Sequence, residues 1–473
     1  MLIGRIKEQR ELMEAYLASE SRFVVVYGRR RVGKTYLVRQ TFKEQLTFAH
    51  SGQANAKLND QLFGWCVSLK EAGMAVNNLP KTWLEAFELL KEHIRNSSAK
   101  KKVIFIDELP WLDTPKSRFV NALEFFWNGW ASGRDDVLLI VCGSATSWIV
   151  NKIFKDHGGL HNRVTNQIYL KPFTLNECEK YTHSLNLNYS RMDILEGYMV
   201  MGGIPYYWSL LKAGESLAQN IDRLFFADKG KLRYEFNELY HSLFRNPDHY
   251  IAIVRALGKN SMGLTRDEII SNTKIENGGN LSKQLEDLVH CGFIQYVNTP
   301  SNKRYRCVYK LIDNFTLFYL KYMNENTVND ESFWTNNYNS SVRLSWVGIA
   351  FERVCFQHIR QIKEALQIGG VLSNVYSLRT KDTNAKGYGA QIDMIIDRND
   401  NTINLCEMKF SKKAFTIDKE YQRKLLNKID CIQEYTNYKK TIILTMVTTE
   451  GVEHNGYWNT VQKEVTMNDL FKE

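Results

Sequence analysis

Gly28-Arg29-Arg30-Arg31-Val32-Gly33-Lys34-Thr35 lies between a β-branched run, Arg22 to Tyr27, and a helix-forming stretch, Lys34 to Phe42. A loop bounded by two glycines, with a strand before it and a helix after it, is suited to holding phosphate. Gly28 and Gly33 let the backbone turn tightly and come close to a ligand. The loop N–H groups and the helix N-terminus favour negative charge. Lys34 is placed to reach the β- and γ-phosphates of a nucleotide, and the Thr35 hydroxyl to ligate Mg²⁺.

Working outward, two further strands are expected. Lys102 to Ile106 ends in Asp107-Glu108. Four apolar residues followed by two carboxylates make the Walker B pattern that accompanies a P-loop. Asp107 holds Mg²⁺ through water, and Glu108 polarises the attacking water as general base. Val137 to Cys142 ends in Gly143-Ser144. Ser144 is either a sensor that touches the γ-phosphate or lytic water, or the N-cap of the next segment. Between the strands, Trp83, Phe87, Leu90 and Ile94 form one helical stripe; Phe119, Leu123, Phe126 and Trp130 form another. Such stripes pack a core. Alternating strands and helices predict a parallel sheet covered on both faces.

Together these motifs resemble the AAA+/STAND division of P-loop ATPases. Leu2-Ile3-Gly4-Arg5-xx-Glu8 resembles the hhGRxxE motif of that group, which implies that Arg5 lies near the adenine. Asn162-Arg163 stands before the strand Gln167 to Leu170, where such proteins carry an arginine finger; Arg163 either fills that role or pairs with a carboxylate. Gly202-Gly203-Ile204-Pro205 resembles the GxP motif of the lid, which implies Pro205 as a nucleotide contact. More narrowly, the chain is similar to archaeal-type ATPases with a C-terminal nuclease-like domain. The resemblance implies ATP and Mg²⁺ as cofactors.

Residues 181–245 read as a helical lid. In 246–325, Ile251, Val254 and Leu257 mark one helix. Leu264 to Ser271 marks a second, started by Thr265, and Leu281 to His290 a third. Two strands then flank a turn at Thr299 to Asn302. That is the order of a winged helix. Lys303, Arg304 and Arg306, with Tyr305 among them, suit DNA. Lys283, Glu286 and Asp287 on the third helix make a mixed face whose acids repel phosphate, which suits a rigid lid or a protein contact.

Residues 326–473 open with an amphipathic helix from Gly348 to about Leu366, including Glu352. Gln391 to Ile396 and Ile403 to Phe410 then read as a hairpin turning at Arg398 to Asn401. A three-residue loop sets Asp393 opposite Glu407, with Lys409 on the Glu407 face; a loop of even length would spoil the register. Asp393 and Glu407 then bind Mg²⁺, Glu352 adds a ligand, and Lys409 orients water or the transition state, as metal-dependent phosphodiester cleavage requires. The constellation resembles the PD-(D/E)xK nucleases, although Ile392 stands where their Pro is usual. A surface ion pair on a degenerate nuclease fold is the alternative. Lys412, Lys413, Lys419, Arg423, Lys424 and Lys428 form a basic group that either tracks a phosphate backbone or is a solvated helix face.

The fold class expected is α/β: a P-loop NTPase parallel sheet (1–180) with a helical lid, a winged-helix domain and a C-terminal α/β nuclease-like domain. Hydrophobic residues at 44% and charged residues at 24% allow several buried cores. The net charge of +10 permits a nucleic-acid partner without demanding one. Eight cysteines without a CxxC pair, several inside apolar runs, read as reduced core residues of a cytoplasmic protein. Arg5, Glu8 and Arg10 argue against a signal peptide, and no apolar run is long enough for a bilayer. Two functions fit: an ATPase governing a DNA-cutting domain, or a nucleotide-driven switch that binds nucleic acid or protein without cutting. An oligomer is needed if Arg163 acts in trans; otherwise a monomer suffices.

Overall fold

The structure, a computed structural model, describes residues 2–144, 146–155, 159–160, 162–244, 246–300, 305–323, 330–379 and 389–473; of 298–300 and 305–306 only the backbone is described. The chain forms two compact units. The first comprises Met1–Pro172 with Leu285–Gly292, the second Phe173–Gln284 with Phe293–Glu473.

In the first unit the elements run α1 (Ile6–Leu17), β1 (Arg22–Tyr27), α2 (Lys34–Thr41), β2 (Leu46–Ser51), α3 (Leu58–Glu71), α4 (Trp83–Asn96), β3 (Lys102–Asp107), α5 (Phe119–Gly129), β4 (Val137–Gly143) and β5 (Asn166–Tyr169). The five strands form one parallel sheet in the order β2-β3-β4-β1-β5. Strands β1, β3 and β4 are almost wholly buried, which explains their unbroken apolar runs. The expected stripes of α4 and α5 meet over the sheet: the rings of Trp83 and Phe119 lie 4.9 Å apart and those of Phe87 and Phe126 5.1 Å apart. Trp130 is partly buried at the edge of this cluster.

The second unit opens with α6 (Leu175–Ser184), α7 (Arg191–Met201) and α8 (Pro205–Trp208). A boundary at 180 would cut α6. The break lies at Pro172 because Thr174 and Glu177 form a capping box that starts the helix earlier. The expected boundaries at 245/246 and 325/326 involve residues outside the described set. Next come α9 (Pro247–Gly258), α10 (Arg266–Thr273, capped by Thr265 as expected), α11 (Gly279–His290), β6 (Ile294–Pro300), β7 (Tyr305–Leu311) and α12 (Asn314–Tyr322). Strands β6 and β7 are antiparallel, and Leu264 bridges to Tyr309. Strand β6 runs through Pro300, so Thr299 and Pro300 are strand; residues 301–304, Lys303 and Arg304 among them, lie outside the described residues, as does the Arg306 side chain.

The last elements are α13 (Ser341–Gln357), β8 (Ser373–Arg379), β9 (Gln391–Arg398), β10 (Thr402–Lys409), α14 (Lys419–Tyr435), β11 (Thr441–Thr448) and β12 (Lys463–Thr466). The sheet order is β12-β11-β10-β9-β8. Strand β9 is antiparallel to β8 and β10, while β10, β11 and β12 are parallel. Helix α13 packs on β10 and α14 on β11. The helix expected from 348 to 366 starts earlier, at Ser341, and is interrupted at His358.

His358 is a folding device. Its Nε2 accepts the Leu175 N–H at 3.0 Å, and its other ring nitrogen, Nδ1, lies 2.9 Å from the Val354 carbonyl. Burial pushes its pKa down to about 4. The folded value is depressed below the unfolded one, so the unfolded state binds the proton first as pH falls. Stability is full above the unfolded value near 6.5 and is lost between there and about 4. Urea unfolding at pH 7 and pH 5 should show a loss of ~2 kcal/mol from this group, absent in His358→Gln.

Candidate nucleotide and carboxylate sites

At the C-terminal edge of the first sheet, β1, β3 and β4 deliver the loop 28–35, Asp107-Glu108 and Ser144 to one place. Gly28 has φ 140°, and a Cβ there would stand 2.4 Å from the Leu170 carbonyl oxygen. Gly33 has φ 92° and caps α2. Only glycine adopts these backbone conformations without strain. Lys34 Nζ donates to the Gly28 and Arg29 carbonyls, both at 2.9 Å. Burial lowers its pKa, and Glu108 and Asp107 oppose that.

Thr35 Oγ1 donates to Asp107 Oδ2 at 2.7 Å. Burial raises the Asp107 pKa, while the Thr35 hydroxyl bond works against the rise. A threonine hydroxyl meeting a strand-end aspartate is a hard-oxygen set that fits Mg²⁺. Glu108 stands in left-handed backbone (φ 46°, ψ 46°). Its Oε2 accepts the Ser144 hydroxyl at 2.9 Å and the Ser144 N–H at 3.3 Å. Thus Ser144 joins the site by holding Glu108.

Arg5, also left-handed, is buried and donates to the Val32 carbonyl at 3.4 Å, against the phosphate loop. Arg29 is buried. Arg163 lies in the exposed turn before β5. Pro205 opens α8 in the second unit. The end of α11 groups with the first unit: Glu286 pairs with Lys155, and Asp287 is buried. Of these two acids, Asp287 faces protein, while Glu286 shares a half-exposed ion pair.

In the second unit the β9–β10 loop is residues 399–401, three long, and Cys406 pairs with Met394. That register carries Glu407 opposite Asp393, and Asp393 Oδ2 accepts the Met408 N–H at 3.0 Å. Asp393 is 7% exposed and Glu407 2%. Lys409 Nζ lies 3.0 Å from Glu407 Oε1. Two residues missed from the sequence complete the site. Tyr421 OH donates to Glu407 Oε1 and Lys428 Nζ to Oε2, each at 2.5 Å. A signal was present: Tyr421, Leu425, Lys428 and Ile432 fall on one apolar stripe of α14. Arg423 and Lys424 are exposed, so the basic group divides, with Lys428 turned into the site.

Burial alone would raise Glu407, but Lys409, Lys428 and Tyr421 outweigh it and hold the carboxyl below its usual range. Asp393 is raised by burial and by Glu407. Glu352 on α13 is pushed up to about 7, by burial first and then by Asp393. Its negative charge is coupled to the pair, but among the described residues no three His, Cys, Asp or Glu side chains form a ready cation cage. The expected three-ligand arrangement of Glu352, Asp393 and Glu407 is therefore not seen as one cluster among the described residues; both Glu407 oxygens carry lysine or tyrosine donors. Asp393 and Glu407 still fit a hydrated Mg²⁺, which is commonly held by one or two carboxylates plus water and substrate phosphate.

Among the described residues no disulfide occurs; seven cysteines are buried and Cys307 is only half-buried. No described helix is long and apolar enough to cross a membrane.

A protein of Methanocaldococcus jannaschii that is itself uncharacterized is 24% identical over 375 residues, 77% of this chain and 78% of its own length. Among solved structures, the Walker-type ATPase of Pyrococcus abyssi aligns with a TM-score of 0.48 at 19% identity, covering 68% of this chain and 96% of that one. The ORC2 protein of Aeropyrum pernix aligns with a TM-score of 0.40 at 14% identity, covering 67% and 93%. The model of an ATPase domain predominantly from Archaea matches residues 2–211. With the loop, the acidic strand end and the parallel sheet in place, residues 2–211 are an ATPase domain of the archaeal type.

Proposed function

We propose that this chain binds and hydrolyses Mg²⁺-ATP and that its nucleotide state regulates a C-terminal metal-dependent phosphodiesterase site acting on DNA. The observation that carries the second half is the β9–β10 register, which sets Asp393 against Glu407 with Lys409 3.0 Å away. In the ATPase site Lys34 neutralises phosphate charge, Thr35 and Asp107 hold Mg²⁺, and Glu108 takes the proton of the lytic water. Arg5 supports the loop beside the base, and Pro205 and Arg163 serve as lid contact and finger. In the C-terminal site the cation supplies an activated water and charge stabilisation. Asp393 and Glu407 hold it, Glu352 adds charge from α13, and Lys409 orients the water. Residues 246–325 read as a winged helix that serves as a rigid contact, a reading supported by the pairing of Glu286 with Lys155 and the burial of Asp287.

The test is cleavage of plasmid and single-stranded DNA with Mg²⁺ or Mn²⁺, with and without ATP. Parent protein should cut and Lys409→Ala should not; cutting unchanged in the variant removes the assignment. A second reading, a switch that binds without cutting, is favoured by one observation: three donors already engage Glu407. It is chosen if nothing is cut while DNA or a protein is retained in an ATP-dependent way.

A further inference from the structure

Glu407 already holds cations of the protein's own, and its two oxygens have unequal partners. Oε1 takes two donors, the Tyr421 hydroxyl at 2.5 Å and the Lys409 ammonium at 3.0 Å. Oε2 takes one among the described residues, the Lys428 ammonium at 2.5 Å. An ionised carboxylate has about four lone-pair sites, two to each oxygen, so Oε1 is filled and Oε2 keeps one. The three donors are also unequally held. Lys409 follows Glu407 by two residues on the same strand, β10. The Tyr421 ring packs on Phe415, with centroids 5.1 Å apart, and lies 5.8 Å from the Lys409 ammonium. Lys428 reaches in from α14 on a flexible stem, and its side chain is 16% exposed. Its head can therefore leave for water while the helix stays docked through Leu425 and Ile432, which are fully buried. Asp393, the other carboxylate of the pair, already accepts the Met408 N–H through Oδ2. A divalent cation shared by the pair thus meets Glu407 at Oε2, where Lys428 stands.

We propose that Lys428 is the resident counter-ion of Glu407 and is displaced from Oε2 when a divalent cation binds Asp393 and Glu407. The inference rests on the metal-binding reading of that pair. Two cations in contact with one carboxylate oxygen repel each other strongly, so loading is an exchange. The metal ion comes in, the ammonium goes out with its proton, and the buried carboxylate always has a positive partner. A buried charge stripped of its partner is strongly destabilising, and Lys428 prevents that in the unloaded site. The exchange also sets the affinity, since each cation that binds must break the Lys428 pair.

The test has two readouts on the full chain, neither of them cleavage. Calorimetric titration with Mn²⁺ gives the affinity. The C-terminal isotherm is defined as the part lost in Asp393→Asn, which separates it from binding at Thr35 and Asp107. Lys428→Met should bind Mn²⁺ at that site on the order of tenfold more tightly than parent, and Lys428→Arg, which keeps a cation there, should not exceed parent. Lys428→Gln serves if the Met variant does not fold. Acetylation with an N-hydroxysuccinimide ester, mapped by peptide mass spectrometry, follows the ammonium itself. Modification of Lys428 should rise several-fold when Mn²⁺ saturates the parent, and should not rise in Asp393→Asn. An Asp393-dependent affinity unchanged or weaker in the neutral variants, or Lys428 acetylation that Mn²⁺ leaves flat, overturns the inference and leaves the metal reading intact. No Asp393-dependent isotherm in any variant overturns both.

Discussion

Glu108→Gln should bind ATP with little change in affinity and turn it over about 10²–10⁴-fold more slowly, the span a positioned general base contributes. Gln keeps the size of Glu108 and an oxygen that can still accept the Ser144 hydroxyl, now 2.9 Å from Oε2. It cannot take a proton from water. The turn should survive as well. Left-handed backbone at a non-glycine residue costs about 1 kcal/mol, and here it is held by the bond from the Glu108 N–H to Asp107 Oδ1 at 2.9 Å, which the substitution does not touch. Affinity is read by titration with a fluorescent ATP analogue and turnover by phosphate release at saturating ATP. Unchanged turnover would take the base role from Glu108. Ser144→Ala is the companion variant. It frees the carboxylate without removing it, so its turnover should stay far above that of Glu108→Gln.

How much of this could be read from the chain varies with the range of the interaction. The loop 28–35 was legible because its requirements are local: glycines at fixed spacing, a strand before and a helix after. The β9–β10 register was legible because three loop residues leave one pairing that buries the apolar faces of both strands, and Asp393 and Glu407 follow from it. Contacts between distant segments were hidden. That Ser144 spends its hydroxyl on Glu108 depends on β4 lying beside β3, a sheet-order fact that no local pattern states. Lys428 looked like one more solvated lysine until α14 was docked, although its place on the Tyr421–Leu425–Ile432 stripe set it apart. The interruption at His358 was missed because the residue's role is to receive Leu175, nearly two hundred positions earlier.

Asp393→Asn should lower Mn²⁺-dependent DNA cleavage by about 10³-fold, the rate equivalent of the several kcal/mol a bound cation supplies. The same substitution should leave the fold as stable as the parent or more so. Asn retains an oxygen for the Met408 N–H, so that donor keeps its partner. It also removes a buried charge that burial and Glu407 disfavour more than Lys428 and Lys409 favour it, so that its pKa is raised on balance. Loss of the Asp393 charge lowers Glu352 somewhat from about 7, while burial, the larger cause, still holds it up. The opposite directions of the two readouts carry the weight of the test. A residue that merely braced the sheet would lose activity and melting temperature together. A ligand kept in an electrostatically costly place for its chemistry loses activity while stability holds or rises. Cleavage that survives in Asp393→Asn, or a parallel fall in both measurements, would return Asp393 to a structural role and leave the C-terminal sheet as a binding platform.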